Sequence, residues 1–83
     1  MLKEIYIEWT EYERILHEWV MYIFKKITDV DWRKFDRAIG LKYKKDKDNE
    51  DANEWAGYIF EVVDEEKFML AVLKFSIDFE TFS

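Results

Sequence analysis

The most regular hydrophobic pattern in the chain runs from Leu2 to Thr28. Eight apolar or aromatic residues recur there at spacings of three and four: Leu2, Ile5, Trp9, Tyr12, Leu16, Trp19, Ile23 and Ile27. At about 100° per residue, these positions share one helix face roughly 100° wide. The spacing therefore predicts one long amphipathic helix over residues 2–28, with these eight side chains as its core-facing stripe.

The first nine residues also carry a second pattern. Every second residue from Ile5 to Trp9 is apolar, which is typical of a half-buried strand. Thr10 and the glutamate three residues after it form a capping-box signature, which would start the helix at Tyr12 instead. The continuous helix accounts for more positions, because only Ile7 would lie clearly on its polar side. A strand followed by a shorter helix is the alternative.

A short second helix is predicted to follow. Thr28 or Asp29 can cap it, and Asp31 lies favourably in its first turn against the helix dipole. Its apolar positions repeat at helical spacing: Trp32, Phe35 and Ile39. Gly40 is well placed just beyond its end, where a left-handed backbone is common. These features predict a helix of about ten residues.

The remainder of the chain favours strands. Apolar residues alternate with lysines over 41–45, which predicts an edge strand, and the polar residues 46–53 predict a loop. Trp55–Val63 is rich in β-branched and aromatic residues and predicts a strand. Long alternation over 67–79 predicts the second strand of a hairpin, with a helix over 65–74 as the alternative.

Together these elements predict a single α+β domain spanning residues 1–83. A long N-terminal amphipathic helix and a short helix would cover one face of a small antiparallel sheet that ends in a C-terminal hairpin. A chain of this length is typical of one small domain.

The sequence is poor in residues that carry catalysis. It contains no cysteine, one histidine (His17), and serines only at positions 76 and 83. A thiolate nucleophile and a cysteine-based zinc site are therefore excluded, and no glycine-rich phosphate loop is present. His17 follows Glu13 by one helical turn and is interpreted as an exposed helix residue. We expect no enzyme activity, no catalytic residue and no cofactor.

The acidic segment also fails as a calcium site. Asp46, Asp48 and Glu50 fit the first ligand positions of an EF-hand loop. However, the positions that require glycine and a bidentate glutamate hold Asp51 and Gly57. No metal site is predicted.

The net charge of −6 is unevenly distributed. Residues 29–45 carry six basic and three acidic side chains, whereas residues 46–56 carry one basic and five acidic. Acidic surfaces steer basic partners, and aromatic side chains anchor interfaces. The predicted partner-binding residues are the two acidic clusters and the adjacent indole: Asp46, Asp48, Glu50, Asp51, Glu54, Trp55, Asp64, Glu65 and Glu66.

This profile predicts a small non-enzymatic protein that binds a basic protein partner and occludes its lysine- and arginine-rich site. Inhibitors of nucleases, immunity proteins and viral or plasmid-encoded anti-defence proteins have the same size, acidity and lack of catalytic groups, and some act as nucleic-acid mimics. The absence of cysteine, of a leader segment and of a long apolar run predicts a cytoplasmic protein without membrane association.

Two alternatives remain open. The central basic segment 32–47 has interleaved aromatic residues and is a candidate nucleic-acid interface: Arg33, Lys34, Arg37, Lys42, Tyr43, Lys44 and Lys45. The second alternative is a purely structural homo-oligomer subunit, because the heptad-like spacing of the first helix suits pairing across a homodimer. Tyr6, Tyr22 and Phe24 lie off the predicted stripe and are candidates for contacts beyond the core.

Overall fold

A computed structural model of the chain describes residues 3–25, 31–49 and 54–81. The elements in these ranges are, in chain order, β1 (Glu4–Glu8), α1 (Trp9–Phe24), α2 (Trp32–Ala38), β2 (Leu41–Asn49), β3 (Glu54–Val62), α3 (Glu65–Phe75) and β4 (Glu80–Thr81). None of the described helices is long and apolar enough to cross a membrane.

The described strands form one antiparallel sheet in the order β2-β3-β1-β4. β1 pairs with β3 along its whole length, with Ile5 opposite Phe60 and Ile7 opposite Tyr58. Side chains alternate across a sheet, so these residues share one face. Ile5, Ile7 and Phe60 join buried residues from all three helices in a single core. The predicted α+β class is confirmed, as three helices packed against a four-stranded antiparallel sheet.

The continuous helix predicted for residues 2–28 is wrong at its N-terminal end. Residues 4–8 form β1, and the helix begins at Trp9 and ends at Phe24. Ile5 and Ile7 are both fully buried, so the strand pattern, in which every second residue is apolar, matches the structure of this segment. Ile7 pairs with Tyr58 of β3, and its side chain joins the core that the helices cover, whereas a continuous helix would have placed it on the polar side. Thr10 lies inside α1 rather than capping it.

The buried face of α1 differs from the predicted stripe. Its buried residues are Tyr12, Ile15 and Val20, while Trp9 and Ile23 are 37% and 49% exposed. The predicted stripe includes residues that form a strand, so its positions do not coincide with the buried face of the helix. The ends of the stripe, Leu2 and Ile27, lie outside the described residues.

The second helix is confirmed over Trp32–Ala38. Asp31 is its N-cap rather than a first-turn residue, because its carboxylate accepts a hydrogen bond from the backbone N–H of Arg33 at 3.0 Å. The other proposed caps, Thr28 and Asp29, lie outside the described residues. Gly40 follows the helix with φ of 75°, as its position predicted.

The predicted C-terminal hairpin is wrong, and the alternative helix is present as α3. Asp64 caps it by accepting a hydrogen bond from the Lys67 backbone N–H at 3.1 Å. Its buried residues, Phe68, Ala71 and Phe75, follow the helical spacing of three and four. The acidic residues 64–66 are therefore a helix N-terminus rather than a hairpin turn.

The remaining strand predictions hold in part. β3 is shifted by one residue from the predicted strand, and β2 is an edge strand as expected. However, β2 continues to Asn49, so Asp46 and Asp48 lie in a strand instead of the predicted polar loop. Pairing with β3 overrides the low strand propensity of this segment.

Arg14 joins α1 to the end of α3. Its guanidinium donates to both carboxylate oxygens of Glu11 at 2.7 Å and to the backbone carbonyls of Phe75 and Ser76 at 3.1 Å. The Glu11 carboxylate also accepts from the backbone N–H of Asp78 at 2.7 Å, and the bonds from Arg14 lower the pKa of Glu11. A cation at a helix C-terminus complements the helix dipole, so this cluster fixes α3 against the core.

Gly57 of β3 lies directly against the backbone of β1. A methyl group there would overlap the carbonyl oxygen of Ile7 and lie 2.9 Å from the Glu8 Cα atom. We expect Gly57→Ala to lower the free energy of unfolding by about 2 kcal/mol, which corresponds to a melting temperature lower by about 10 °C. Thermal denaturation measures this change. Lys45→Ala, at an exposed position of β2, is the control, and equal melting temperatures for the two variants would contradict the prediction.

Candidate functional site

An open cavity of about 430 Å³ lies between α1, α2 and the strands β2 and β3. We call it the aromatic cleft. It is lined by five rings, three carboxylates and one leucine: Tyr12, Trp32, Tyr43, Tyr58, Phe60, Glu13, Asp36, Asp46 and Leu16. Its volume lies in the range of small-ligand sites, about 300–1,000 Å³.

The aromatic walls of the cleft are mutually packed. The centroids of the Tyr12 and Tyr58 rings lie 4.9 Å apart, and those of Tyr43 and Tyr58 lie 6.1 Å apart. Trp32 meets Tyr43 edge to face at 5.6 Å. Trp32 is 44% exposed, whereas Phe60 is buried. The rings of the cleft therefore extend from the buried core to the surface.

Asp36 is the buried polar residue of the cleft. It is 3% exposed, and its Oδ1 atom accepts a hydrogen bond from the Tyr12 hydroxyl at 2.6 Å. Its Oδ2 atom is buried and has no hydrogen-bond partner in the described part of the chain. Burial raises the pKa of Asp36 to about 6, although the bond from Tyr12 opposes this shift. At pH 7 the protein thus holds a mostly ionised carboxylate away from water.

The other two carboxylates, Glu13 and Asp46, are exposed. The Tyr43 hydroxyl donates to Asp46 Oδ1 at 2.7 Å, and this bond raises the pKa of Tyr43. Among the residues that the structure describes, no lysine or arginine lines the cleft. With three carboxylates and five rings, the cleft attracts cations both by charge and through the faces of its rings.

A second cavity of about 380 Å³ shares Trp32, Asp36 and Tyr43 with the cleft. Its remaining lining combines three cationic side chains with two aliphatic ones: Arg33, Arg37, Lys42, Leu41 and Val63. One of these cations already has an acidic neighbour, because the Arg33 Nε atom lies 3.4 Å from the Asp31 carboxylate. The two adjoining cavities therefore differ in the sign of their charge.

The two predicted acidic clusters lie at opposite ends of β3. Asp48 is opposite Trp55 and Asn49 is opposite Glu54 at one end, while Asp64–Glu66 follow the other end. Nine strand residues span about 30 Å, so one compact site does not include both clusters. Asp46 is the predicted site residue that the fold brings into the aromatic cleft. Glu50 and Asp51 lie outside the described residues.

Two members of the predicted basic interface form ion pairs within the protein. Lys44 pairs with Glu4, and Arg33 pairs with Asp31. Lys42 lies opposite Glu61 in the β2–β3 register. All the predicted basic residues are exposed: Arg33, Lys34, Arg37, Lys42, Lys44 and Lys45. Tyr43, the aromatic member of this set, is a wall of the aromatic cleft instead.

The sequence interpretation missed Tyr12, Asp36 and Tyr58 as site residues. One signal for Asp36 was available, because it lies one helical turn after Trp32 and next to the buried Phe35. A carboxylate on that face of a short helix is either buried or beside a cavity. Tyr12 and Tyr58 gave no such signal, since they fit a hydrophobic core equally well.

Other features of the described residues bear on partner binding. Exposed apolar side chains occur on α1 and α3, among them Tyr22, Phe24, Leu70 and Leu73 at 55%, 45%, 60% and 79%. Tyr6, the third candidate for contacts beyond the core, is partly buried. A homodimer through α1 stays a prediction. Within the described ranges, no group of three or more histidine, cysteine, aspartate or glutamate side chains is arranged to hold a metal ion.

Comparison with protein-family models, with curated proteins and with solved structures found no match to this chain.

Proposed function

We propose that this protein is a non-enzymatic binding module that attaches to a basic protein partner and occludes its lysine- or arginine-rich surface. Partners of this kind include nucleases and nucleic-acid-handling defence complexes, whose basic sites an acidic protein blocks by taking the place of nucleic acid. The proposal assigns binding to the aromatic cleft and to the acidic end of the β2–β3 pair beside it.

The observation that carries this proposal is the composition of the aromatic cleft. In the described part of the chain, three carboxylates and five rings line it, and no cationic side chain does. An acidic surface alone gives steering and little affinity, whereas buried aromatic residues supply the energy of most interfaces. The aromatic cleft combines both kinds of group around one cavity.

Charge supports the same end of the molecule. Asp46 lines the cleft, and the paired ends of β2 and β3 carry Asp48 and Glu54 a few residues further along. The net charge of −6 steers the whole protein towards cationic surfaces. A partner that docks at the cleft is therefore attracted by the adjoining acidic cluster before it makes close contact.

Affinity capture from the native host, followed by mass spectrometry, tests the proposal. We expect the captured protein to be basic and its association to slow with added salt. Replacing Asp46 and Asp48 by asparagine and Glu54 by glutamine is expected to slow association about tenfold. We expect these substitutions to leave folding nearly unchanged, and thermal denaturation of the variant checks this.

The matched control makes the same change of charge at the opposite end of β3. It carries Asp64→Asn, Glu65→Gln and Glu66→Gln, and asparagine retains the ability to cap α3. We expect association close to that of the unmodified protein. Sensitivity at this end alone would show that the wrong end was chosen. If neither variant changed association, the steering mechanism would be wrong.

A nucleic-acid-binding module is the second candidate, supported by the cavity that Arg33, Arg37 and Lys42 line. Basic side chains neutralise phosphates, and the rings of Trp32 and Tyr43 are available for stacking on bases. Gel-shift assays with DNA and RNA separate the two candidates. The preferred function predicts no shift at physiological salt, and salt-dependent binding would favour the second candidate.

A further inference from the structure

The buried carboxylate of Asp36 identifies the class of cation that the cleft accepts. Its Oδ1 atom is engaged by the Tyr12 hydroxyl, while Oδ2 is buried without a partner among the described residues. A buried acceptor left unpaired costs stability, and an ionised one costs more. A ligand that donates a hydrogen bond to Oδ2 would remove this cost, because no described group of the protein supplies that hydrogen bond.

The surrounding groups restrict the ligand further. Tyr12 and Phe60 are buried and stack at a centroid distance of 5.4 Å, and Trp32 and Tyr43 extend the aromatic wall outwards. A flat cationic group gains from stacking on such rings. It also has to lose its hydration on entering, which favours a weakly hydrated cation.

Three kinds of cation differ in how well they meet these conditions. A quaternary ammonium stacks on rings but has no N–H group for Oδ2. A lysine ammonium has donors but is compact and strongly hydrated. An arginine guanidinium is planar and weakly hydrated, and it carries several N–H groups in a fixed geometry.

We propose that the aromatic cleft binds an arginine guanidinium, which donates to Asp36 Oδ2 and stacks on the rings of the cleft wall. This inference rests on the proposed function for the source of the arginine, a side chain of the basic partner. Asp46 and Glu13 at the exposed side of the cleft attract the same charge. Asp36 thus selects arginine, while the exposed acidic residues set the rate of encounter.

A titration followed by nuclear magnetic resonance tests this without any partner. The probe is N-acetyl-L-arginine N-methylamide at pH 7.5, compared with the corresponding lysine derivative and with tetramethylammonium chloride. We expect saturable shifts at the Trp32 indole N–H and at the amides of Asp36 and Tyr43. The arginine derivative should bind at least fivefold more tightly than the lysine derivative, and tetramethylammonium should cause no saturable shift at these groups.

Two variants with the same change in charge complete the test. Asp36→Asn is expected to weaken binding of the arginine derivative about tenfold, because a charge-assisted hydrogen bond is lost. Glu80→Gln, on an exposed residue of β4, should leave binding unchanged. Equal binding of the arginine and lysine derivatives would overturn the inference. So would binding insensitive to Asp36→Asn, saturable binding of tetramethylammonium, or shifts confined to residues outside the cleft.

The inference and the proposed function fail separately. The comparison of three cations on the unmodified protein decides the inference even if Asp36→Asn does not fold. Arginine binding in the cleft without a basic partner on capture would leave the inference standing and reject the function. A captured basic partner whose affinity does not change with Asp36→Asn would reject the arginine assignment alone.

Discussion

Replacing Phe35 by alanine is expected to lower the free energy of unfolding by about 3–5 kcal/mol. Phe35 is fully buried, and its ring centroid lies 5.5 Å from that of Tyr12 and 5.4 Å from that of Trp19. It is the buried apolar residue of the short helix α2 and packs in the core. A domain of this size has a total stability of about 4–12 kcal/mol, so this one substitution removes a large part of it.

Urea denaturation of the two proteins measures this difference. Leu73→Ala is the control, because Leu73 is 79% exposed and its loss should change the free energy of unfolding by no more than about 0.5 kcal/mol. Similar midpoints for the two variants would show that α2 does not depend on Phe35 for its packing. The hydrophobic stripe in the sequence would have assigned this role to Trp19, which the structure leaves only partly buried.

The N-terminal segment carries two periodicities, one typical of a strand and one of a helix, and the sequence prediction chose the wrong one. Ile5 and Trp9 fit both a strand and a helix, and only Ile7 distinguishes the two. More positions match the helical spacing, but the burial of Ile7 depends on its pairing with Tyr58 of β3 and on the helices that cover this face of the sheet. The strands that pair with β1 lie far along the chain, and the local spacing of residues does not reveal this pairing. The sequence could predict an α+β domain but not the position of its first strand.

The hairpin prediction for residues 67–79 was wrong for a related reason. Residues 67–79 alternate, yet Phe68, Ala71 and Phe75 also recur at helical spacing. Asp64 as a cap and the two acidic residues after it are typical of a helix N-terminus, whereas the hairpin prediction treats the same residues as a turn. By contrast, α2 was predictable because Asp31, Phe35 and Gly40 all agree with one structure.

The candidate site was less predictable than the fold. Charge counts located Asp46 and the basic residues, since net charge is additive along a sequence. The aromatic cleft, however, brings Tyr12, Asp36 and Tyr58 together from α1, α2 and β3. Burial converts Asp36 from one aspartate among many into a desolvated acceptor, and burial depends on tertiary packing.

The stability of the protein should therefore depend on pH through Asp36. Its pKa is raised from 3.8 in the unfolded chain to about 6 in the folded protein, because burial disfavours the charged form. Between these two values the folded state holds a proton that the unfolded state has lost. Stability from this group is present below about pH 4 and is lost as the pH rises to about 6. A shift of about two pKa units corresponds to roughly 3 kcal/mol.

Comparison with Asp36→Asn separates this contribution from those of other groups. For example, Arg14 lowers the pKa of Glu11, so Glu11 changes the stability with pH in the opposite direction to Asp36. Urea denaturation of both proteins at pH 7.5, 6, 5 and 4 gives the two curves. We expect the unmodified protein to gain about 2–3 kcal/mol relative to the variant between pH 7.5 and pH 4. Parallel curves for the unmodified protein and Asp36→Asn would mean that the Asp36 carboxylate is solvated, and the electrostatic basis for cation binding in the cleft would be lost.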